Sequence, residues 1–295
     1  MNSTARIGIV GVGQMGLAMA LRLRDGGCEV GVCDIDGERE RLAQDAGAEA
    51  FATPAALAAA CDVVIVAVVD AAQCESVIFG TCGIATALAR GGCVLLCPTL
   101  GPASSEIIAA RLAEAATHCI EAPMSGGPAR ARDGSMSLMV ACDDAVFERH
   151  RDLLAMLSSR LFRVGTRIGD GARTKLVNNL LAAVNLAGAA EVLALAERVG
   201  LDAARTLEIV EQSSGQSWIG SDRMRRALAG DLAPRAATTL LAKDTRLALA
   251  MASEAGVALP LGAAAAARFV AAVAAGYGDL DDACLLELGR AARPS

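Results

Sequence analysis

The fold of the N-terminal half is decided by one stretch, Arg6-Ile-Gly-Ile-Val10-Gly11-Val-Gly13-Gln-Met-Gly16. Its first five residues form a short and mostly apolar run, which is typical of a strand buried on both faces of a parallel sheet. Three glycines follow without a gap, and residues 17–23 then have the apolar spacing of a helix. Strand, glycine turn and helix in this order predict a turn that binds phosphate groups.

Each glycine of this turn has its own physical reason. Gly11 permits a tight turn, Gly13 lets the backbone approach a pyrophosphate, and Gly16 lets helix and strand pack closely. The helix start at Gln14 and Met15 supplies N–H groups and a favourable dipole for phosphates. We therefore predict that these five residues bind a dinucleotide cofactor.

A second strand, residues 29–33, leads directly into Asp34. This residue lies 18 positions after Gly16, close to the ~20 at which a carboxylate binds the adenosine ribose in such folds. Its charge would repel a 2′-phosphate, and the first arginine after it is Arg39. We therefore expect NAD as the cofactor in preference to NADP. The alternative is that Asp34 caps the turn into the next helix.

Buried strands and helical segments continue to alternate as far as residue 165. The strand ends near Val69 and Thr99 fall at the carboxyl edge of such a sheet, where cofactors bind, so both residues are predicted cofactor contacts. A doubly wound α/β domain over residues 1–165 accounts for the pattern. Further strands are predicted at residues 62–69, 94–97, 118–121, 137–141 and 160–164, and the clearest helices at residues 55–60 and 84–90.

A glycine-rich loop, Ser125-Gly126-Gly127, lies between two of these strands. It offers a hydroxyl group and successive backbone N–H groups with no side chain in the way. Such a concavity suits a carboxylate, and we predict that the loop binds the substrate. The alternative is a plain glycine loop between strands.

The chain has two lysines, Lys175 and Lys243, whereas its other 25 basic residues are arginine. Lysine can be made to give up a proton and arginine stays charged, so a lysine retained in this composition suggests chemistry. Lys175 and Asn179 stand four apart in an apolar run and share one face of a predicted helix. We predict that this face is catalytic. The alternative is an ordinary helix lysine with a polar neighbour.

After the last strand the pattern is helical to the end of the chain, which predicts a second domain over residues 166–295. Its first helix, predicted at residues 172–199, is long enough to connect two domains and ends at Gly200, a common helix terminator. A loop at residues 213–218 ends in Trp218, which either lines a substrate pocket or packs in the core.

Composition excludes several classes of protein. With 295 residues, 54% apolar and 2% aromatic, the chain can bury a large aliphatic core. A net charge of −6 argues against nucleic acid or an anionic membrane as partner, and no uncharged apolar run reaches the ~18 residues of a membrane span.

The two histidines, His118 and His150, have no partner at metal-ligand spacing, so no metal site is expected. Ten cysteines without a Cys-x-x-Cys pair, and no signal-peptide pattern, predict a cytoplasmic protein.

Four motifs occur in one order along the chain. Together they resemble the β-hydroxyacid dehydrogenase family, the relatives of 3-hydroxyisobutyrate dehydrogenase, tartronate semialdehyde reductase and 6-phosphogluconate dehydrogenase. The resemblance spans almost the whole chain. The motifs are residues 11–16, residues 125–127, residues 169–179 and the pair Lys243-Asp244.

The resemblance implies a Rossmann domain followed by an all-helical domain of the 6-phosphogluconate dehydrogenase type, which commonly forms a homodimer or homotetramer. It implies that Lys175 is the catalytic lysine and that Asn179 holds the substrate. The loop from Ser125 to Gly127 would bind the substrate carboxylate. By the same resemblance, Lys243 would lie near the nicotinamide.

The resemblance extends to a subgroup of the family. Residues 70–80 and 213–218 look like the subgroup that contains L-threonate dehydrogenase. The chain also departs from the family pattern, with Glu121 where aspartate is usual and Met124 where valine is usual. Both departures lie just before the predicted substrate loop, so they bear on the choice of substrate.

The expected reaction is NAD-dependent oxidation of a small hydroxy acid, either a threonate-like sugar acid or one similar to 3-hydroxyisobutyrate. Hydride moves between the alcohol carbon and the nicotinamide, while Lys175 gives or takes the proton on the oxygen. A lysine in water has a pKa of about 10.4. We expect a partly dry cleft and the positive nicotinamide to lower the pKa of Lys175.

Three alternatives stay open: a reductase of tartronate or succinic semialdehyde, an imine reductase, and a non-enzymatic NAD-binding sensor. Imine reductases usually replace the lysine at this site, whereas Lys175 is retained. Intact Lys175 and Asn179 argue against a sensor. A short-chain dehydrogenase would need a Tyr-x-x-x-Lys pair, but the only tyrosine, Tyr277, has Asp281 four positions later.

Overall fold

The computed structural model describes residues 6–291. The chain divides into two compact units, Met1–Lys175 and Leu176–Ser295. The division falls inside one long helix, Asp170–Arg198, which begins in the first unit and ends in the second. The predicted fold class, a doubly wound α/β domain followed by helices, is confirmed by the elements described below.

The first unit is built on a single sheet. Its strands are β1 (Ile7–Val10), β2 (Val30–Cys33), β3 (Glu49–Ala50), β4 (Val63–Val66), β5 (Cys93–Leu96), β6 (His118–Glu121), β7 (Met124–Ser125), β8 (Ser137–Ala141) and β9 (Arg160–Gly165). Their order is β3-β2-β1-β4-β5-β6-β8-β7, and β9 pairs with β8. The run from β3 to β6 is parallel, with the strand order of dinucleotide-binding folds. Strand β8 is antiparallel to both β6 and β7.

Five parallel strands end in register at one edge of the sheet. Their last residues form the row Cys33, Val10, Val66, Leu96 and Glu121. Whatever follows these residues therefore lies at the carboxyl edge, where ligands bind in open α/β sheets.

Helices cover both faces of the sheet. In the first unit they are α1 (Gln14–Asp25), α2 (Gly37–Asp45), α3 (Pro54–Ala59), α4 (Ala71–Phe79), α5 (Pro102–Glu114), α6 (Gly127–Asp133) and α7 (Asp144–Leu157). Every residue of β1, β2, β4 and β5 is buried. On β4, Ile65 packs in one apolar cluster and Val64 in the other, so two-sided burial is confirmed.

The second unit is helical. It takes in most of α8 (Asp170–Arg198) and continues with α9 (Ala203–Glu211), α10 (Trp218–Leu228), α11 (Thr238–Glu254), α12 (Pro260–Ala272) and α13 (Leu285–Ala291). Its core is aliphatic around the fully buried Phe269. Next to that core, Asp282 is buried and forms an ion pair with Arg223 of α10.

One predicted helix is shorter than expected, and two short strands were not predicted. A helix was expected at residues 84–90, but only Ile84–Thr86 is helical, as a 3₁₀ turn, because the backbone leaves the helical region at Ala87, where φ is −138°. Strands β3 and β7 were not predicted, since two residues carry no periodicity.

Two helices, α8 and the run Pro260–Tyr277, are long and apolar enough to cross a membrane by length and composition alone. The core helix of a soluble protein passes the same test. Helix α8 carries the polar residues Lys175, Asn179 and Asn185 along its length. That the protein has no membrane partner stays a prediction.

Candidate active site

The predicted phosphate turn joins β1 to α1. A Cβ on Gly16 would lie 1.9 Å from the carbonyl oxygen of Gly11, so the turn and helix pack too closely for any side chain there. Gly13 stands at the N-cap of α1, where no side chain caps the helix, and a Cβ on it would meet no described atom within 4 Å. Gln14 and Met15 open the helix. Open space above uncapped N–H groups fits the pyrophosphate of a dinucleotide.

Asp34 follows the last residue of β2 and is tied to the phosphate turn. Its Oδ2 accepts a hydrogen bond from the backbone N–H of Val12 at 2.6 Å, and its Oδ1 accepts one from Asp36 at 3.0 Å. The cap of α2 is Asp36, whose side chain accepts from the N–H of Glu38. Asp36 is therefore the N-cap of α2, while Asp34 accepts a hydrogen bond within the turn that leads into this helix.

A second carboxylate stands beside Asp34. Glu40 of α2 accepts the backbone N–H of Asp34 at 2.9 Å. The first arginine of this region, Arg39, lies 3.5 Å from Asp36. The end of β2 thus carries paired negative charge, which opposes a 2′-phosphate. Sequence reasoning missed Glu40, since its role depends on the turn that brings α2 back to the strand.

Val69 and Thr99 follow β4 and β5 at equal distance, three residues after the last strand residue. Val69 is 46% exposed, and its N–H donates to the side chain of Gln73. Because β4 and β5 end in register, both residues lie at the same carboxyl edge as the phosphate turn.

The predicted substrate loop begins at β7. Ser125 pairs with Ser137 of β8. Gly126 and Gly127 both have positive φ, +129° and +75°, so two successive residues adopt backbone that disfavours side chains. The loop thus places consecutive N–H groups next to the Ser125 hydroxyl, an arrangement that can bind a carboxylate.

Lys175 lies in the second turn of α8 and is only 7% exposed. The start of this helix is held by Glu121, the last residue of β6. Oε2 of Glu121 accepts hydrogen bonds from the backbone N–H of Gly169 at 2.8 Å and of Gly171 at 2.9 Å. Burial raises the pKa of the Glu121 carboxyl, an effect that the Ser105 side chain and these backbone hydrogen bonds partly oppose.

In the second unit, Asn179 and Lys243 share one partner. Asn179 is 8% exposed, and its Nδ2 donates to Oδ2 of Asp244 at 2.6 Å. The Nζ of Lys243 lies 3.0 Å from Oδ1 of the same carboxylate. Asn178 donates to the side-chain oxygen of Asn179 at 3.0 Å. The sequence indicated Asp244 only as part of the Lys243-Asp244 motif. In the structure its carboxylate contacts both Asn179 and Lys243.

Trp218 begins α10 and is 46% exposed, so it is not a core residue. It lines an open cleft of about 360 Å³ in the second unit. The other residues lining this cleft are Glu211, Gln216, Ser221, Asp222 and Arg225.

Among residues 6–291, no group of three His, Cys, Asp or Glu side chains is placed to hold a metal ion. None of the ten cysteines, all of which lie within residues 6–291, forms a disulfide. Burial raises the pKa of Cys93 and of Cys97 to about 12. Cys82 alone among the ten is exposed.

Comparison with known proteins agrees with both halves of the fold. The family described as the NAD binding domain of 6-phosphogluconate dehydrogenase matches residues 6–165. The family described as NAD-binding of NADP-dependent 3-hydroxyisobutyrate dehydrogenase matches residues 169–288. The predicted dinucleotide cofactor is thereby confirmed.

Individual relatives match over nearly the whole chain. The L-threonate dehydrogenase of Cupriavidus necator is 37% identical over 282 residues, which cover 96% of this chain and 95% of the relative. That of Escherichia coli K12 is 34% identical and covers 97% and 95%. The crystal structure of 3-hydroxyisobutyrate dehydrogenase from Salmonella typhimurium superposes with a TM-score of 0.91 at 32% identity, covering 96% of this chain and 99% of that one.

The Rossmann sheet, its glycine turn and these matches define an NAD-binding oxidoreductase that acts on a CH–OH group. The chain belongs to the β-hydroxyacid dehydrogenase family, and its relatives include the L-threonate dehydrogenases.

Proposed function

We propose that this protein oxidises a small hydroxy acid with NAD, and that the substrate is a threonate-like sugar acid. The observation that carries the proposal is the pair Lys175 and Asn179, 7% and 8% exposed and one turn apart on α8. It occurs in a chain that aligns with an L-threonate dehydrogenase over 96% of its length.

Lys175 acts as the general base or general acid for the proton on the reacting oxygen. During oxidation its amine accepts the hydroxyl proton as hydride leaves the carbon, and during reduction its ammonium donates that proton. Bound NAD supplies the hydride acceptor. The low exposure of Lys175 limits competition from water at this proton.

The substrate is oriented by residues that do not exchange protons. The hydroxyl and N–H groups from Ser125 to Gly127 bind its carboxylate, which fixes the carbon presented to the nicotinamide. Asn179 holds its hydroxyl group. Trp218 contacts the carbon chain of the substrate. Lys243 lies near the nicotinamide of the cofactor.

The cofactor is bound by the carboxyl edge of the sheet. Asp34 binds the adenosine ribose, and the uncapped start of α1 binds the pyrophosphate. The residues assigned to the cofactor are Gly11, Gly13, Gln14, Met15, Gly16, Asp34, Val69, Thr99 and Lys243.

The division of labour follows the two predicted domains. Residues 1–165 bind the cofactor and carry the substrate loop from Ser125 to Gly127. Residues 166–295 serve substrate binding and assembly, and they add Lys243 to the cofactor site. We propose a cytoplasmic homodimer or homotetramer that uses the second domain. An apolar stripe on α8 supports this, because four of its large side chains are 49–62% exposed: Val177, Leu181, Val192 and Leu195.

A panel of initial rates tests the proposal. Purified protein receives NAD or NADP with threonate, 3-hydroxyisobutyrate, glycerate or 4-hydroxybutyrate, and nicotinamide absorbance is followed. We expect threonate with NAD to give the highest rate. Lys175→Ala should lower kcat by about 100-fold or more while NAD still binds.

Arg173→Ala is the matched control, since Arg173 is a cation on the same helix whose partners are Glu106 and Asp170. It should retain activity. Equal losses in both variants would argue against Lys175 chemistry. A wild-type protein that binds NAD yet oxidises no acid would instead favour a semialdehyde reductase, an imine reductase or a sensor.

A further inference from the structure

The N-terminus of α8 is capped by a residue far away in the sequence. A helix begins with backbone N–H groups that lack partners in the helix, and a nearby side chain usually accepts one of them. Gly169 precedes α8 and has no side chain, while the Asp170 carboxylate is engaged with Arg167 and Arg173. Glu121, 48 residues before Gly169, supplies the missing acceptor.

The fit between Glu121 and this helix is close. A Cβ on Gly171 would lie 2.8 Å from Oε2 of Glu121 and 2.9 Å from the carbonyl oxygen of Met139. The first turn therefore rests directly on the carboxylate and on β8. Glu121 is 1% exposed, and the positive end of the helix dipole favours its charge.

Glu121 also belongs to the strand that leads into the substrate loop. Its backbone pairs with Leu96 of β5 and with Ala141 of β8, which fixes its position at the carboxyl edge. Ser125 follows four residues later. One side chain thus joins the start of the substrate loop to the start of the helix that carries Lys175.

We propose that Glu121 is a positioning residue that holds Lys175 in place relative to the loop from Ser125 to Gly127. The inference rests on the proposed roles of Lys175 and the loop. Lys175 lies one turn beyond Gly171, so a loose first turn displaces its amine from the reacting oxygen. Proton transfer requires heavy atoms within about 3.2 Å, and a misplacement of about 1 Å can lower the rate 100-fold.

Glu121→Met and Glu121→Gln test the proposal as a pair. Methionine has similar length but only a weakly accepting sulfur. Glutamine keeps one oxygen, and one oxygen accepts both N–H groups in this structure. In Glu121→Met we expect faster amide hydrogen exchange at residues 169–175, a kcat lowered about 10- to 100-fold, and unchanged NAD affinity. Glu121→Gln should restore slow exchange and most of kcat.

Two further variants separate positioning from general loss of structure. Gly171→Ala should reproduce the Glu121→Met result from the helix side, and it serves if Glu121→Met does not fold. Glu106→Gln removes a carboxylate that accepts a hydrogen bond from the Arg173 side chain, and it should change neither exchange nor kcat.

Unchanged exchange in Glu121→Met would overturn the proposal, and so would faster exchange with a wild-type kcat. Parallel loss of NAD affinity would also count against it, because it would indicate a general structural role. Failure of the proposed function is distinguishable, since the wild-type protein would then oxidise no hydroxy acid. Hydrogen exchange would still decide whether Glu121 clamps the helix.

Discussion

Asn179 of α8 donates its amide to the carboxylate of Asp244 on α11 across 2.6 Å. Both residues are buried, at 8% and 5% exposure, so this hydrogen bond forms away from bulk water. The same carboxylate lies 3.0 Å from the Lys243 ammonium. Asp244 therefore fixes which way the Asn179 amide faces, which matters for a residue proposed to hold a substrate hydroxyl.

Asp244→Ala is expected to raise the KM for the hydroxy acid and to lower kcat, because Asn179 loses the acceptor that orients it. A double-mutant cycle with Asn179→Ala measures the coupling in kcat/KM. Contacting buried residues typically couple by about 0.5–3 kcal/mol. Additive effects of the two changes would show that the bond has no bearing on the reaction.

Asp34→Ser should shift cofactor preference toward NADP, because it removes the charge that opposes a 2′-phosphate. We expect the ratio of NADP to NAD dissociation constants to fall at least about tenfold, an electrostatic change of about 1.4 kcal/mol. Fluorescence titration of both cofactors gives this ratio without any substrate. Asp36→Ser is the matched control, with the same change of charge two residues later. An equal shift in both variants would mean that net charge, and not Asp34, sets the preference.

Acidity should affect stability through Asp282. Burial raises the pKa of its carboxyl from 3.8 to about 7, although attraction to Arg223 opposes the shift. The folded chain therefore binds this proton more tightly than the unfolded chain. Its contribution to stability is full below about pH 4 and is lost as the pH rises through about 7.

The Asp282→Asn variant has no carboxyl group to ionise at this position. The difference in unfolding temperature, variant minus wild type, should therefore increase between about pH 5 and pH 8. Thermal unfolding of both proteins at the two pH values gives the comparison. The same difference in unfolding temperature at both pH values would contradict the raised pKa of Asp282.

Assembly should depend on the apolar stripe of α8. Leu195→Asp places a charge at a position that is 59% exposed, and we expect it to convert the oligomer to smaller species by light scattering after gel filtration. Val257→Asp, at an equally apolar residue 53% exposed outside this helix, should leave the mass unchanged. A monomeric wild-type protein would refute the proposed assembly.

Sequence reasoning reached the features that depend on neighbours in the chain. Gly11, Gly13 and Gly16 act within one turn, and the apolar runs of β1 and β4 are buried on both faces as expected. The spacing of Lys175 and Asn179 likewise placed both on one helix. All of these features involve residues that lie a few positions apart, which a sequence displays directly.

Contacts between segments far apart in the sequence could not be predicted from it. Glu121 accepts hydrogen bonds from the N–H groups of Gly169 and Gly171, which lie 48 and 50 positions later. Asp244 accepts a hydrogen bond from Asn179, which lies 65 positions earlier. Nothing in either local sequence specifies such a partner. The closest signal was the substitution of glutamate for the usual aspartate at position 121, which becomes meaningful only once the helix it reaches is known.

The burial of the thiols makes this chain convenient to label. Thiolates, not thiols, react with maleimides, and burial both shields cysteines and keeps them protonated. Cys82 is the one exposed cysteine of the ten, and its carbonyl accepts the N–H of Ala55 within the cofactor-binding unit. A maleimide fluorophore should therefore react first at Cys82 near neutral pH, which gives a defined label in this unit without further mutagenesis.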